Sequence, residues 1–205
     1  MAIDVEVVRT TMESRLNITI GENNAILQIN EALLMISKLA NWPDLYTSGD
    51  VVFAATNQSK ALPSDCRHVG SCVIAGYRPL TKVRFPDIEI AQQQPSPTTG
   101  RPRVYATKGK ALYVFAIPDG DYTVAVSYWK THTAIADEEG TVEFSDDFKE
   151  MIITRSIVEY LKANGKTVHP KLLENDRLFN EQVSLMMPTA DFDHPIIRPF
   201  IYGVS

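Results

Sequence analysis

The stretch Gly100–Tyr128, GRPRVYATKGKALYVFAIPDGDYTVAVSY, decides how the chain is read. It gives a strand, a tight turn, a second strand, a Pro118-Asp119-Gly120 turn and a third strand. From Tyr122 to Trp129 the residues alternate between two sets. Tyr122, Val124, Val126 and Tyr128 share one face, and Thr123, Ala125, Ser127 and Trp129 share the other. Upstream, Leu62-Pro63-Ser64-Asp65 reads as another turn. Nothing in this meander has the pattern of a catalytic constellation.

Moving outward, Val51–Ala54, Ser71–Ala75, Phe85–Ile90, Val104–Thr107, Ala111–Ile117 and Tyr122–Trp129 are predicted strands, short and bounded by turn residues. Between the third and fourth lies Gln92–Gly100, a polar run with two prolines that is expected to be a mobile surface loop. Helical periodicity flanks the strands on both sides. Val5, Val8 and Met12 form one stripe of a helix over Asp4–Arg15. Ile26, Ile29, Leu33 and Ile36, widened by Leu34 and Leu39, form that of a helix from Asn23, with Asn23 or Asn24 as its cap. Asn41-Trp42-Pro43 ends it. After Ser145 the spacing of Phe148, Met151, Ile152, Ile157 and Leu161 predicts a helix with a capping box from Asp147 to Glu150 and Gly165 at its C′ position. A last helix starts at Pro170, with Leu172, Phe179, Val183 and Met186 aligned, and Pro188 stops it.

These segments predict an α+β fold: a helical bundle with an inserted antiparallel β-sandwich or meander module. The bundle helices fall in residues 1–46 and 136–187, the β-module in 47–135, and an extended tail in 188–205. That tail, Asp191–Ser205, is apolar but broken by prolines. It has to cover a surface, either its own domain or a neighbour by extended addition. Phe192, His194, Ile196, Ile197, Arg198, Phe200 and Tyr202 are its candidate contact residues for a partner or neighbouring subunit.

The chain has 205 residues, 44% hydrophobic and 22% charged, an ordinary globular composition with room for a sizeable core. No apolar run approaches the roughly 20 residues a membrane span needs. The beginning, MAIDVEVVRT, lacks the basic-then-apolar pattern of a signal peptide, so folding in a reducing cytosol is expected. A net charge of −5, with no dense run of Lys and Arg, argues against sequence-specific DNA binding. Cys66-x-His68-x3-Cys72 supplies three soft ligands but lacks the fourth that a closed zinc site requires. The two cysteines read as small buried or half-buried thiols, and no metal or cofactor is expected.

The order of helix, Trp-ended helix, LPSD-type turn, β-meander and closing helices resembles the bacteriophage head-to-tail adaptor family. That family includes the tail tubular A proteins of short-tailed phages and related connector proteins. The matching residues are Trp42, Leu62-Pro63-Ser64-Asp65, Gly100-Arg101-Pro102, Tyr105-Ala106, Leu112, Pro118-Asp119-Gly120, Tyr122 and Tyr128. The likeness covers residues 1–187, most clearly 60–165. It departs at Ala116, where the family often has a second proline, and at Thr133-Ala134-Ile135, where it often has Pro-Leu.

The resemblance implies a structural virion protein without catalytic residues, placed at the head–tail junction after assembly in the host cytoplasm. It implies a dodecameric ring beneath the portal that extends the DNA channel and serves genome ejection. The ring docks the tail nozzle or next neck protein, with tail fibres as further neighbours, while duplex DNA passes without being read. Its motif residues in the β-module are Pro63, Asp65, Pro102, Tyr105, Pro118, Asp119, Gly120, Tyr122 and Tyr128. Physically, Pro63 and Pro118 preset φ at turn corners and Gly120 supplies any positive φ. Tyr105, Tyr122 and Tyr128 bury a ring and keep a hydroxyl in water.

Two other classes compete with this reading. A wall-degrading enzyme needs two carboxyls facing a cleft, but Asp119/Asp121 flank a turn and Asp137/Glu138/Glu139 sit in a polar linker. His68, His132, His169 and His194 are scattered without a nucleophile motif. A carbohydrate-binding module would use Trp129 as a shelf, although core or interface packing is the commoner use of a strand tryptophan.

Overall fold

The computed structural model describes residues 2–95 and 98–186. In chain order it runs β1 (Ala2–Asp4), α1 (Val5–Leu16), α2 (Glu22–Leu39), β2 (Tyr46–Phe53), β3 (Ser59–Ala61), β4 (Cys66–Ile74), β5 (Thr81–Lys82) and α3 (Phe85–Gln92). It continues with β6 (Val104–Lys108), β7 (Ala111–Phe115), β8 (Tyr122–Lys130), β9 (Thr141–Ser145), α4 (Lys149–Ala163) and α5 (Pro170–Met186). The fold is α+β and divides into two units. A helical unit holds the described residues through Leu45 and from Thr131 onward, and a β-unit is Tyr46–Lys130.

In the helical unit, Asp4 opens α1 by accepting the Glu6 N–H at 3.0 Å, and Asn17 closes it in the left-handed region at φ 55°. The expected asparagine cap of α2 is not used. Gly21 takes the cap position, and its carbonyl accepts the N–H groups of Asn24 and Ala25, both at 3.0 Å. Asn24 instead accepts from the Gln28 side chain at 3.3 Å. Trp42 is fully buried where α2 ends, its indole N–H donating to the Ile36 carbonyl at 2.7 Å and its ring edge-on to Phe148.

The capping box at Asp147 is likewise absent. A short 3₁₀ turn, Asp146–Phe148, leads into α4, whose cap position has no side-chain bond, and Glu150 reaches Arg15 at 2.7 Å. The end of α4 follows expectation. Gly165, at φ 70°, donates to Lys162 at 3.0 Å, and Lys166 donates to Leu161 at 2.9 Å. Every residue from Met151 to Val158 is buried, so α4 is the axis of this unit. Val5, Val8, Met12, Ile29, Leu33, Ile36, Leu172 and Phe179 belong to the same core, and β1 pairs with β9.

The β-unit contains two sheets, β2-β8-β4 and β3-β7-β6-β5, antiparallel except for β5 beside β6. One core joins them: Val51, Phe53, Val69 and Val126 from the first, Tyr105, Leu112 and Val114 from the second. The inward face of β8 is the expected one, with Val124, Val126 and Tyr128 buried and Tyr122 partly buried.

The predicted strand Phe85–Ile90 is instead the helix α3. Pro86 in its first turn suits a helix start, Arg84 clasps Asp87, and only Ile88 of the eight residues is buried, not every second one as a strand would have it. With α3 between them, β5 and β6 pair in parallel, a small β–α–β crossover inside the meander. The described end of the Gln92–Gly100 segment is tied down, with Gly100 donating to Ile117 at 2.8 Å and Ile117 donating to Thr98 at 2.9 Å.

Candidate assembly surface

The motif residues form two clasps at opposite ends of β8. At its far end Tyr128, 5% exposed, donates its hydroxyl to Asp65 Oδ1 at 3.2 Å. The Pro63 carbonyl accepts the Cys66 N–H at 3.0 Å, so Ser64 and Asp65 are the turn corners and Pro63 stands one position before them. Lys110 draws the same turn toward the β6–β7 corner, donating to the carbonyls of Ser64 and Cys66.

At the near end Tyr122 donates to Asp119 Oδ1 at 2.6 Å, the Pro118 carbonyl accepts the Thr56 N–H at 2.8 Å, and Asp121 accepts the Ala55 N–H at 3.3 Å. Gly120 does not adopt the left-handed region; in this unit glycines do so at Gly76, Gly100 and Gly109. Pro102 is buried just before β6. The GRP and PDG motifs therefore meet through the Gly100–Ile117 bond.

The tyrosine hydroxyls are bonded to protein groups rather than reserved for water. Tyr105 is 2% exposed and donates to the Gly70 carbonyl at 3.4 Å. Burial pushes its pKa up to about 12, with Cys72 adding to the effect. Burial also raises Tyr128, helped by Asp65, while the hydrogen bond to Asp119 is what chiefly raises Tyr122. Cys66 and Cys72 are free, buried thiols, both raised by burial, Cys72 to about 12. At neutral pH neither supplies a thiolate nucleophile.

Several of the candidate carboxylates and histidines have structural partners, while Asp137 and Glu139 are exposed and His194 lies outside the described residues. Asp119 and Asp121 hold the clasp just described, and Glu138 pairs with Arg9. His132 Nε2 accepts the Glu143 N–H at 3.1 Å, and His169 Nδ1 accepts the Lys171 N–H at 3.2 Å at the start of α5. His68 lies against the Trp129 ring, and Trp129 packs on Tyr46 with ring centroids 4.8 Å apart. That aromatic cluster explains Gly70. A Cβ there would lie 3.0 Å from Trp129 and 3.3 Å from Tyr46. Trp129 is 8% exposed, too little for a sugar shelf. Among the described residues no three His, Cys, Asp or Glu side chains are grouped to hold a metal ion, and no helix is long and apolar enough to cross a membrane.

Two features were not expected. Tyr77, 51% exposed, lies under Arg101, whose guanidinium carbon is 3.9 Å from the ring centroid, beside the Tyr122 clasp. Charge counted by segment rather than over the whole chain points toward this corner. Arg155 is buried between α4 and α5, where it pairs with Glu159 and Asp176 and lies over Phe179. A lone arginine inside an apolar stripe was its only signal. The tail residues Phe192, His194, Ile196, Ile197, Arg198, Phe200 and Tyr202 lie outside the described residues.

In comparison with known proteins, the family model for SU10 adaptor protein matches residues 7–191. No curated protein matches the chain.

Proposed function

Because the chain belongs to the SU10 adaptor protein family, a phage head-to-tail adaptor family, we propose that it builds the ring joining the portal to the tail. The protein is a phage adaptor, and membership implies a place at the head–tail junction of the virion. In the fuller reading, copies close into a ring, a dodecamer, beneath the portal. The ring continues the channel through which duplex DNA leaves at ejection, and it seats the tail nozzle or next neck protein.

The observation that carries this reading is the match over nearly the whole chain. The clasped β-unit agrees with it, because its motif side chains hold turns together rather than face a cleft. A subunit that must keep its shape under the load of packaged DNA gains from turn corners fixed by tyrosine hydroxyl bonds.

Purified protein mixed with the portal complex of the same phage should give rings on the portal in negative-stain electron micrographs. Absence of association in every buffer tried would remove the portal from the reading. The tail is proposed to dock on a partner. Deleting Asp191–Ser205 should then weaken portal association by on the order of tenfold or more while shifting protomer unfolding by less than about 1 kcal/mol. Collapse of the protomer's own stability would instead make the tail intramolecular.

A further inference from the structure

The net charge of −5 conceals an uneven division. The β-unit, Tyr46–Lys130, carries ten Lys and Arg against six Asp and Glu, a net of +4. The rest of the chain carries ten against nineteen, a net of −9. Within each unit the excess charge is gathered rather than spread.

In the β-unit it gathers at the β5–β6 corner. Parallel pairing of Thr81 with Val104 and of Lys82 with Tyr105 sets the start of β5 beside the start of β6. That places Lys82 and Arg78, on and just before β5, beside Arg101 and Arg103, which lead into β6. Nearby, Arg84 is matched by Asp87 and Lys108 by Glu89. The four at the corner have no ion pair among the described residues. β5 is the outer strand of its sheet, and a lysine or proline is enough to keep an edge from pairing. Here Lys82 lies on the edge strand itself, Arg78, Arg101 and Arg103 lie beside its start, and a half-exposed tyrosine is stacked under Arg101. Tyr and Arg together are what well-packed interface centres use.

In the helical unit the excess gathers where α1 and α2 begin. Asp4, Glu6, Glu22, Asp137, Glu138 and Glu139 line a hollow of about 730 Å³. All but Glu138, which pairs with Arg9, are exposed.

We infer that the Tyr77–Arg101 corner of one copy seats on the acidic helical unit of the next copy. This rests on the ring reading and deepens it. A ring closes only through contacts between two different faces of the same chain, and these two faces are opposite in sign and present on every copy. Opposed patches also speed and orient encounter. Duplex DNA is the competing occupant of a basic corner.

The test is a charge swap in the full-length chain, read by sedimentation velocity at low and raised salt. One variant carries Arg78→Glu, Arg101→Glu and Arg103→Glu; the other carries Glu6→Lys, Glu22→Lys and Glu139→Lys. The native chain should self-associate, less so as salt screens the charges. Each variant alone should associate on the order of tenfold more weakly, and mixing the two should restore association. Far-UV circular dichroism and a milder set, Arg78→Gln, Arg101→Gln and Arg103→Gln, keep misfolding from passing as loss of contact.

The inference fails if the native chain stays monomeric at its highest soluble concentration, or if mixing restores nothing. It also fails if the first variant loses only a duplex-DNA gel shift while self-association is unmoved. Rings formed on portal by either single variant would overturn the inference and leave the adaptor reading intact. Charge-dependent association without any portal binding would do the reverse.

Discussion

At the scale of single residues, the two tyrosine clasps make similar bonds in different surroundings. Tyr128 is buried and Tyr122 is not, so the same deletion should have unequal cost. Tyr128→Phe should destabilise the protein by about 1 kcal/mol, because Asp65 then loses a donor beside a buried ring, while Tyr122→Phe should cost less than about 0.5 kcal/mol. Urea unfolding of both variants checks this; equal losses would mean that burial does not govern the clasps. A pH dependence follows from Cys72 and Tyr105. The free groups lose protons near their ordinary values of 9.0 and 10.0, whereas in the fold both hold them to about 12. Above the ordinary values the unfolded chain binds fewer protons than the native one, so stability falls as pH rises. The contribution is intact below about pH 9 and lost by about 12. Urea midpoints across that window should decline, and Cys72→Val should flatten the decline; a profile unchanged by the substitution would exclude the thiol as its source.

At the scale of elements, what the sequence revealed depended on how many residues voted. In α1, α2, α4 and α5 each stripe has several apolar residues at helical spacing, and those helices lie where they were expected. Only their caps differ. A cap is decided by one local bond, and at α2 the extended Gly21 holds the position without a side-chain bond. In Phe85–Gln92 the run FPDIEI satisfies both periods over so short a length, and Pro86 was the one residue that favoured a helix. The strands β1, β3, β5 and β9 have two to five residues each and are fixed by their partners, so no pattern announced them. The clasps of the β-unit were legible as turn motifs, and the Tyr122–Asp119 bond is local, but the Tyr128–Asp65 bond joins residues far apart in sequence. Arg155 belongs here too, since it joins α4 to α5. Its partners Glu159 and Asp176 keep access to water, so its packing should outweigh its charge. Arg155→Ala should cost about 2–4 kcal/mol and Arg155→Met less than about 1.5 kcal/mol. Equal costs in thermal unfolding would assign the effect to the charge.

At the scale of the whole molecule, the β-unit is entered and left through one cross-strand pair, since Tyr46 lies opposite Trp129 at the base of β2 and β8. Folded, it returns the chain next to where it received it. Unfolded, it is a long floppy loop between Leu45 and Thr131. Closing such a loop costs roughly 4 kcal/mol of chain entropy, against about 1 kcal/mol for a tight connection. The helical unit should therefore lose about 3 kcal/mol when the β-unit melts, without a substitution of its own. Val126→Asp, buried at the centre of the β2-β8-β4 sheet, provides the test. Hydrogen exchange of α4 amides should quicken by roughly two powers of ten if the coupling is entropic; unchanged α4 protection would show that the two units ignore each other. To the helices, then, the whole β-unit is a single hairpin bend. Through loop entropy alone, what the bundle requires of the β-unit is that the strand pair at its neck closes.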